Sequence, residues 1–184
     1  MLATDSPPLS TLRRLSPRAI VTLRPVGLHL VASKDRGPHE LDMAALRTLE
    51  ALARTEPPSL EHLIEQYGAS AETLVDELLL RKLLVDPDRT PLQFDPVDRP
   101  RDAMDWDPDV PLFLVTPMLF AVTPDGFVTL DHDGKELLRI GYRGLLVLEM
   151  FIAPVSPNDA FVQYCDRFGA DLIDRTQFMK RVRQ

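Results

Sequence analysis

Two stretches ninety-nine positions apart carry the fold of this chain: LDMAALRTLE at 41–50 and IGYRGLLVLE at 140–149. Leu41, Leu46, Leu49 and Glu50 of the first recur as Ile140, Leu145, Leu148 and Glu149 of the second, and Pro58 recurs as Pro157 at the same offset. Further on the offset drifts. Gly68 matches Gly169 after a two-residue insertion, and Leu74 and Leu78 match Phe178 and Val182 at an offset of 104. Drift of this kind describes a structural repeat, two copies of one supersecondary unit whose loops have diverged.

Working outward from the repeat, each half reads as three short strands followed by three helices, an α+β pattern. In the first half Ala19–Arg24, Leu28–Ala32 and His39–Leu41 are the strands, separated by turn chemistry at Pro25-Val26-Gly27 and 33–37, SKDRG. In the second half Leu112–Val115 and Met118–Val122 are apolar and extended. Thr123-Pro124-Asp125-Gly126 turns into Phe127–Leu130, and Asp131-His132-Asp133-Gly134 turns into a strand holding Leu137, Leu138 and Ile140.

The helices show their own signals. Met43, Leu46, Leu49 and Leu52 recur at three-residue spacing, as do Leu145, Leu148 and Phe151, which marks a buried helical face. Ser156-Pro157-Asn158-Asp159 predicts a capped start for a helix that stops at Gly169, and Asp174-Arg175-Thr176-Gln177 a start for the last one. Ser70 is the expected cap of a helix over Ala71–Lys82, with Leu83-Leu84 closing the unit as an extended segment. A counterpart of that segment would fall beyond Gln184, so either the second unit stops early or the chain is a piece of a longer protein.

Composition bounds the rest. With 184 residues, 45% apolar and 27% charged, the chain suits one domain or two small ones and is not a disordered polymer. No apolar run approaches the roughly 18–20 residues that cross a bilayer, and the first ten residues lack the form of a secretory signal. A single cysteine, Cys165, excludes an internal disulfide framework and a cysteine zinc site. A cytoplasmic location without membrane association is expected. Net charge is −7, unevenly spread: residues 1–85 and 112–184 each carry −1, while 86–111 carries −5 and six of the 17 prolines. Proline removes backbone donors and disfavours helix before it. The expected organisation is an N-terminal arm over 1–17, a first unit over 18–85, an acidic proline-rich linker over 86–111 and a second unit over 112–184.

No phosphate loop, dinucleotide fingerprint, nucleophile elbow or zinc-protease signature is present. His29, His39, His62 and His132 fall singly on different expected elements, which argues against a metal site. Cys165 sits mid-helix beside Asp166, an environment that does not activate a thiol. The chain reads as a non-enzyme without a cofactor.

The first half, about 70 residues, resembles a known family. The three-strand meander, the Leu-rich helix, the Pro-Pro-Ser-Leu-Glu-His-Leu start of the second helix and the Glu-Thr-Leu-Val-Asp-Glu-Leu-Leu third helix leading to Lys82-Leu83-Leu84 are similar to a PqqD-like RiPP recognition element. Where that family usually has glycine before the closing Leu-Leu, this chain has Lys82. The second half looks like a divergent copy. The resemblance implies tandem winged-helix-like units that bind the leader of a ribosomally made precursor peptide and present it to a separate peptide-modifying enzyme. Several modifying systems, including partner proteins of multinuclear non-haem iron oxidases, carry such domains outside the catalytic chain. On this analogy the peptide adds to the strand edge at His39, Glu40 and Leu41, beside the third helix bearing Thr73, Asp76, Glu77 and Leu80. Glu72, Asp76 and Glu77 would favour basic residues in the leader.

Two other classes compete. A winged helix can place its third helix in a DNA groove, and Arg175, Lys180, Arg181 and Arg183, with Arg13, Arg14, Arg18 and Arg24 as an arm, could neutralise phosphates. The acidic whole, with a pI near 5.1, argues against it. A docking module, or the front end of a larger enzyme, is the third class.

Overall fold

The computed structural model describes residues 12–31, 37–88, 94, 107–130, 133 and 135–183. Its elements in chain order are β1 (Arg14–Leu15), β2 (Ile20–Arg24), β3 (Gly27–Val31), β4 (His39–Glu40), α1 (Met43–Ala53), α2 (Leu60–Tyr67), α3 (Ala69–Leu80) and β5 (Leu84–Val85). The second half follows with β6 (Met118–Thr123), β7 (Gly126–Leu130), β8 (Glu136–Ile140), α4 (Tyr142–Glu149), α5 (Pro157–Phe168) and α6 (Arg175–Val182). The fold is α+β. Among the described residues it holds a six-stranded antiparallel sheet, a two-stranded ribbon and six helices.

Strand order in the large sheet is β4-β3-β2-β6-β7-β8. The two meanders therefore stand back to back, and their first strands pair antiparallel, with Val21 opposite Phe120 and Leu23 opposite Met118. Each meander would otherwise leave that edge with unpaired backbone groups, and the other half supplies the partners. Side-chain alternation sends Val21, Leu23, Leu28, Leu30, Phe120, Val122 and Phe127 into a single apolar core shared with Leu46, Leu49 and Leu52 of α1 and Leu145 and Leu146 of α4. Helix α1 packs on both α4 and β6, so the halves meet through helices as well as through the sheet.

The offset of 99 is followed closely through the strands. Gly27 and Gly126 end matching hairpin turns, the pair His29–Glu40 matches Val128–Arg139, and the N-caps of α1 and α4 are Asp42 and Gly141. It fails at the second helix. The N-caps Ser59 and Ser156 stand 97 apart, and the C-caps Gly68 and Gly169 stand 101 apart, because α2 has 8 residues and α5 has 12. Pro58 and Pro157 are consequently not equivalent: one precedes its cap and the other follows it.

Two other local expectations are corrected. Leu112–Val115 is not a strand; Leu112 makes an isolated bridge with Val155, and the Leu114 N–H donates to Phe151 O at 2.8 Å. Ser70 does not cap α3, which starts two residues earlier than expected, at Ala69 after Gly68; its hydroxyl instead donates to Asp42 Oδ1 at 2.7 Å. Within the N-terminal arm over 1–17, residues 12–17 are described, and part of that stretch packs on the first unit. β1 pairs with β5, Leu15 is buried, Arg13 forms an ion pair with Asp86 at 2.9 Å, and Arg14 is buried and donates to Thr55 O.

Most of the acidic segment over 86–111, including Trp106, lies outside the described residues, as do Asp131, His132 and Gly134. At its far end Pro108 O accepts from the Asn158 N–H, and Asp109 Oδ1 accepts from Asn158 Nδ2 at 2.6 Å, which ties that end to the start of α5. No helix among the described residues is long and apolar enough to cross a membrane.

Candidate functional site

β4 is one outer strand of the sheet, and its hydrogen-bonding parity follows from its neighbour. The Leu41 N–H donates to Leu28 O at 2.8 Å, so residues 39 and 41 turn their backbone groups toward β3. In an antiparallel ladder the intervening residue turns the other way. Glu40 therefore presents both its N–H and its C=O outward, along an edge that no other described strand covers. Pro38 precedes it and has no donor, so Glu40 offers one donor and one acceptor in the arrangement an added antiparallel strand uses.

Helix α3 runs beside this edge in the opposite direction and is tied to it at both ends. Near its start Ser70 bonds Asp42, whose Oδ1 also accepts from the Ala45 N–H as the cap of α1. Past its end Arg81 Nη2 donates to Gly37 O at 2.8 Å, while Arg81 Nε pairs with Glu77 Oε2 at 2.8 Å. Between the tethers α3 packs on α1 and α2, holding a rigid wall alongside β4. Ala71, Leu74, Val75 and Leu78 face the core.

Of the sequence-derived site residues, Thr73, Asp76 and Glu40 are exposed, and His39 and Glu77 are half-buried. Leu80 is 58% exposed, an apolar side chain held in water beside the edge. Leu41 is different: at 5% exposure its side chain belongs to the core, so only its backbone relates to the edge. Thr73 turns its hydroxyl back onto Ala69 O at 2.9 Å, leaving its methyl to the surface. His39 shares its strand face with Leu41 and with the core on which α3 packs, whereas alternation turns the Glu40 side chain to the opposite face, where it acts on Glu149.

Lys82 has a φ of 55°, in the left-handed region that favours glycine. Its N–H donates to Leu79 O and the Leu83 N–H to Leu78 O, closing the end of α3 before β5 begins. The position at which the resembling family carries glycine is therefore the one at which this backbone adopts a glycine-like conformation.

The second half also reaches this end of the sheet. Glu149 of α4 is buried at 8% exposure and accepts from Arg167 Nη2 at 2.9 Å. Burial pushes its carboxyl above the ordinary range, Arg167 pulls it back, and Glu40 and His29 act on it from the first half with opposite signs. The sequence reading missed Glu149, Arg167 and the Arg81–Gly37 tether. The one available signal was the recurrence of Glu50 as Glu149, a charged residue conserved between two otherwise apolar helix faces of the repeat.

Among the described residues no three His, Cys, Asp or Glu side chains gather to hold a metal ion. Burial and Asp166 raise the Cys165 thiol, the direction opposite to activation. The cations of the supposed N-terminal arm are engaged internally at Arg13 and Arg14. Arg175, Lys180 and Arg183 do line one surface depression, with Thr176 and Met179. No family model matches the chain, and no curated protein or solved structure matches it.

Proposed function

We propose that this protein is a non-catalytic peptide-recognition protein, built from two fused winged-helix-like units, that binds the leader of a ribosomally made precursor at β4 and presents it to a separate modifying enzyme in the cytoplasm. The observation that carries the reading is the outward-facing Glu40 backbone beside the tethered, partly apolar wall of α3. Backbone hydrogen bonds would give affinity, Leu80 an apolar contact, and the exposed Asp76 a preference for basic residues in the leader, while Glu77 is paired with Arg81 and Glu40 contributes its charge from the other face of the strand. The glycine-like backbone at Lys82 supports the family resemblance behind it.

The test is fluorescence anisotropy with two probes, a labelled leader of the precursor peptide encoded beside this protein and a mixed-sequence DNA duplex. Glu40→Pro removes the outward donor while sparing every bond to β3, and an outward position on an edge strand is where proline is tolerated. Leader affinity is expected to fall about tenfold or more with Glu40→Pro and with Leu80→Asp, in line with the loss of a bond and an apolar contact worth about 1–2 kcal/mol. Unchanged leader affinity in both variants overturns the reading. Tight, steeply salt-dependent DNA binding without leader binding replaces it with a transcriptional regulator, and silence from both probes leaves a docking module.

A further inference from the structure

Where α1, α2 and the start of α4 meet, four side chains form a cluster remote in role from the β4 edge. Arg47 Nη2 donates to Tyr142 Oη at 3.0 Å, and Arg143 Nε donates to the same oxygen at 3.1 Å. The Arg47 guanidinium lies 5.1 Å from the centre of the Tyr142 ring and 5.9 Å from that of Tyr67, and Arg143 lies 5.7 Å from the Tyr142 ring. Arg47 comes from the first half and the other donor pair from the second, so the cluster exists only because the halves are fused.

A phenol oxygen has two lone pairs and one proton. Both lone pairs of Tyr142 are taken by guanidinium donors, so what remains is its O–H, which meets no acceptor among the described residues. Each guanidinium has five N–H donors and no acceptor, and neither forms an ion pair with a described carboxylate. The nearby acid of α1, Glu50, is turned against the backbone at Gly141, where its Oε1 would lie 3.3 Å from an added Cβ. The result is a surface of donors without an acceptor. Stacking on two rings holds the Arg47 fork in place, which lowers the entropy lost when it binds.

The surroundings add positive charge. Burial alone would raise the Tyr142 phenol, yet the hydrogen bonds from Arg143 and Arg47 outweigh it and leave its pKa below the ordinary value, which makes its O–H a better donor. Tyr164 is fully buried with no partner for its hydroxyl among the described residues, and burial holds its pKa up to about 12. It feels Arg143 and also Arg181, whose Nε is itself buried without an acceptor.

We propose that Arg47, Tyr142 and Arg143 form an oxyanion-binding site at the seam between the two halves, accepting one phosphate or carboxylate group. The shared chemistry is a compact anion with two or three acceptor oxygens; its source is either free phosphate or an acidic side chain of a peptide. The site does not depend on the β4 reading.

Calorimetric titration of the whole chain separates the sources, with sodium phosphate in one arm and a Glu-rich hexapeptide in the other, at low and at physiological salt. Saturable binding in either arm is expected, weakened about tenfold or more in Arg47→Gln/Arg143→Gln and unchanged in Arg24→Gln, since a hydrogen bond to a charged group typically carries at least that factor. Tyr142→Phe keeps the ring and its stacking and removes only the hydroxyl, so it serves if the double variant does not fold; about a fivefold loss is expected. A bound anion should also raise the Tyr142 phenol titration, followed by phenolate absorbance, in the wild type but not in Arg47→Gln. No binding at millimolar concentration in either arm, or equal affinity in wild type and variants, overturns the proposal.

Discussion

Phe120→Ala tests whether the two halves fold as one body. Phe120 is fully buried on β6, opposite Val21 of β2, at the strand pair that joins the halves. Removing a fully buried phenylalanine ring costs about 3–5 kcal/mol through lost transfer energy and the cavity left behind. In a shared core that cost is paid by every amide that exchanges only on global opening. The assay is native-state hydrogen exchange, comparing Leu74 and Leu78 of α3 with Leu145 and Leu146 of α4. Because each 1.4 kcal/mol is tenfold, exchange at both sets should accelerate about 10²–10³-fold or more. Helix α3 lies in the first half and packs chiefly on α1 and α2, so a loss confined to α4 while α3 keeps its protection would refute the shared-core reasoning.

Two further predictions concern the hairpin turns and a buried carboxyl. Gly27 and Gly126 are repeat partners with φ of 112° and 123°, so alanine strains both, by about 1–2 kcal/mol. At Gly126, however, a Cβ would sit 2.6 Å from the backbone oxygen of Ile140, whereas at Gly27 it meets at 3.2 Å the Glu149 Oε1 that Arg167 holds, a side-chain atom that needs to shift by only a few tenths of an ångström. Gly126→Ala should lower Tm by several degrees more than Gly27→Ala at about 2–4 °C per kcal/mol, and equal losses would contradict the geometry. Glu149 has a folded pKa above its unfolded value near 4.3. The native state then binds that proton more tightly, so its contribution is fully present below the unfolded pKa and is lost as pH rises through the folded one. Urea unfolding at about pH 4 and pH 7 should therefore show Glu149→Gln gaining on the wild type as pH rises; a flat or opposite difference refutes the assignment.

Much of the candidate site was legible because it is built from local signals. The His39–Leu41 strand, the α3 face bearing Thr73, Asp76, Glu77 and Leu80, and the caps at Ser156 and Asp174 each follow from a turn, a period or a capping residue within a few positions. The Leu41 side chain turns into the core while its backbone stays on the strand, and how deeply it is buried depends on the helices packed over it rather than on the strand pattern. Ser70 was misjudged because a serine near a helix start has two possible acceptors or donors, and here Asp42, 28 residues away, was the better partner.

The sequence by itself determined the repeat, the two meanders, the helix faces and the acidic segment between them, since all of these are written in spacings of a few residues and in composition. Only the tertiary structure decided that β2 pairs with β6, that one core serves both halves, and that Arg47 meets Tyr142 and Arg143. Alternation specifies which face of a strand is buried, but an unpaired backbone edge is chemically the same in every strand. Which two edges meet is settled by the packing of α1 on α4 and β6, an interaction between residues almost a hundred positions apart that no local pattern records.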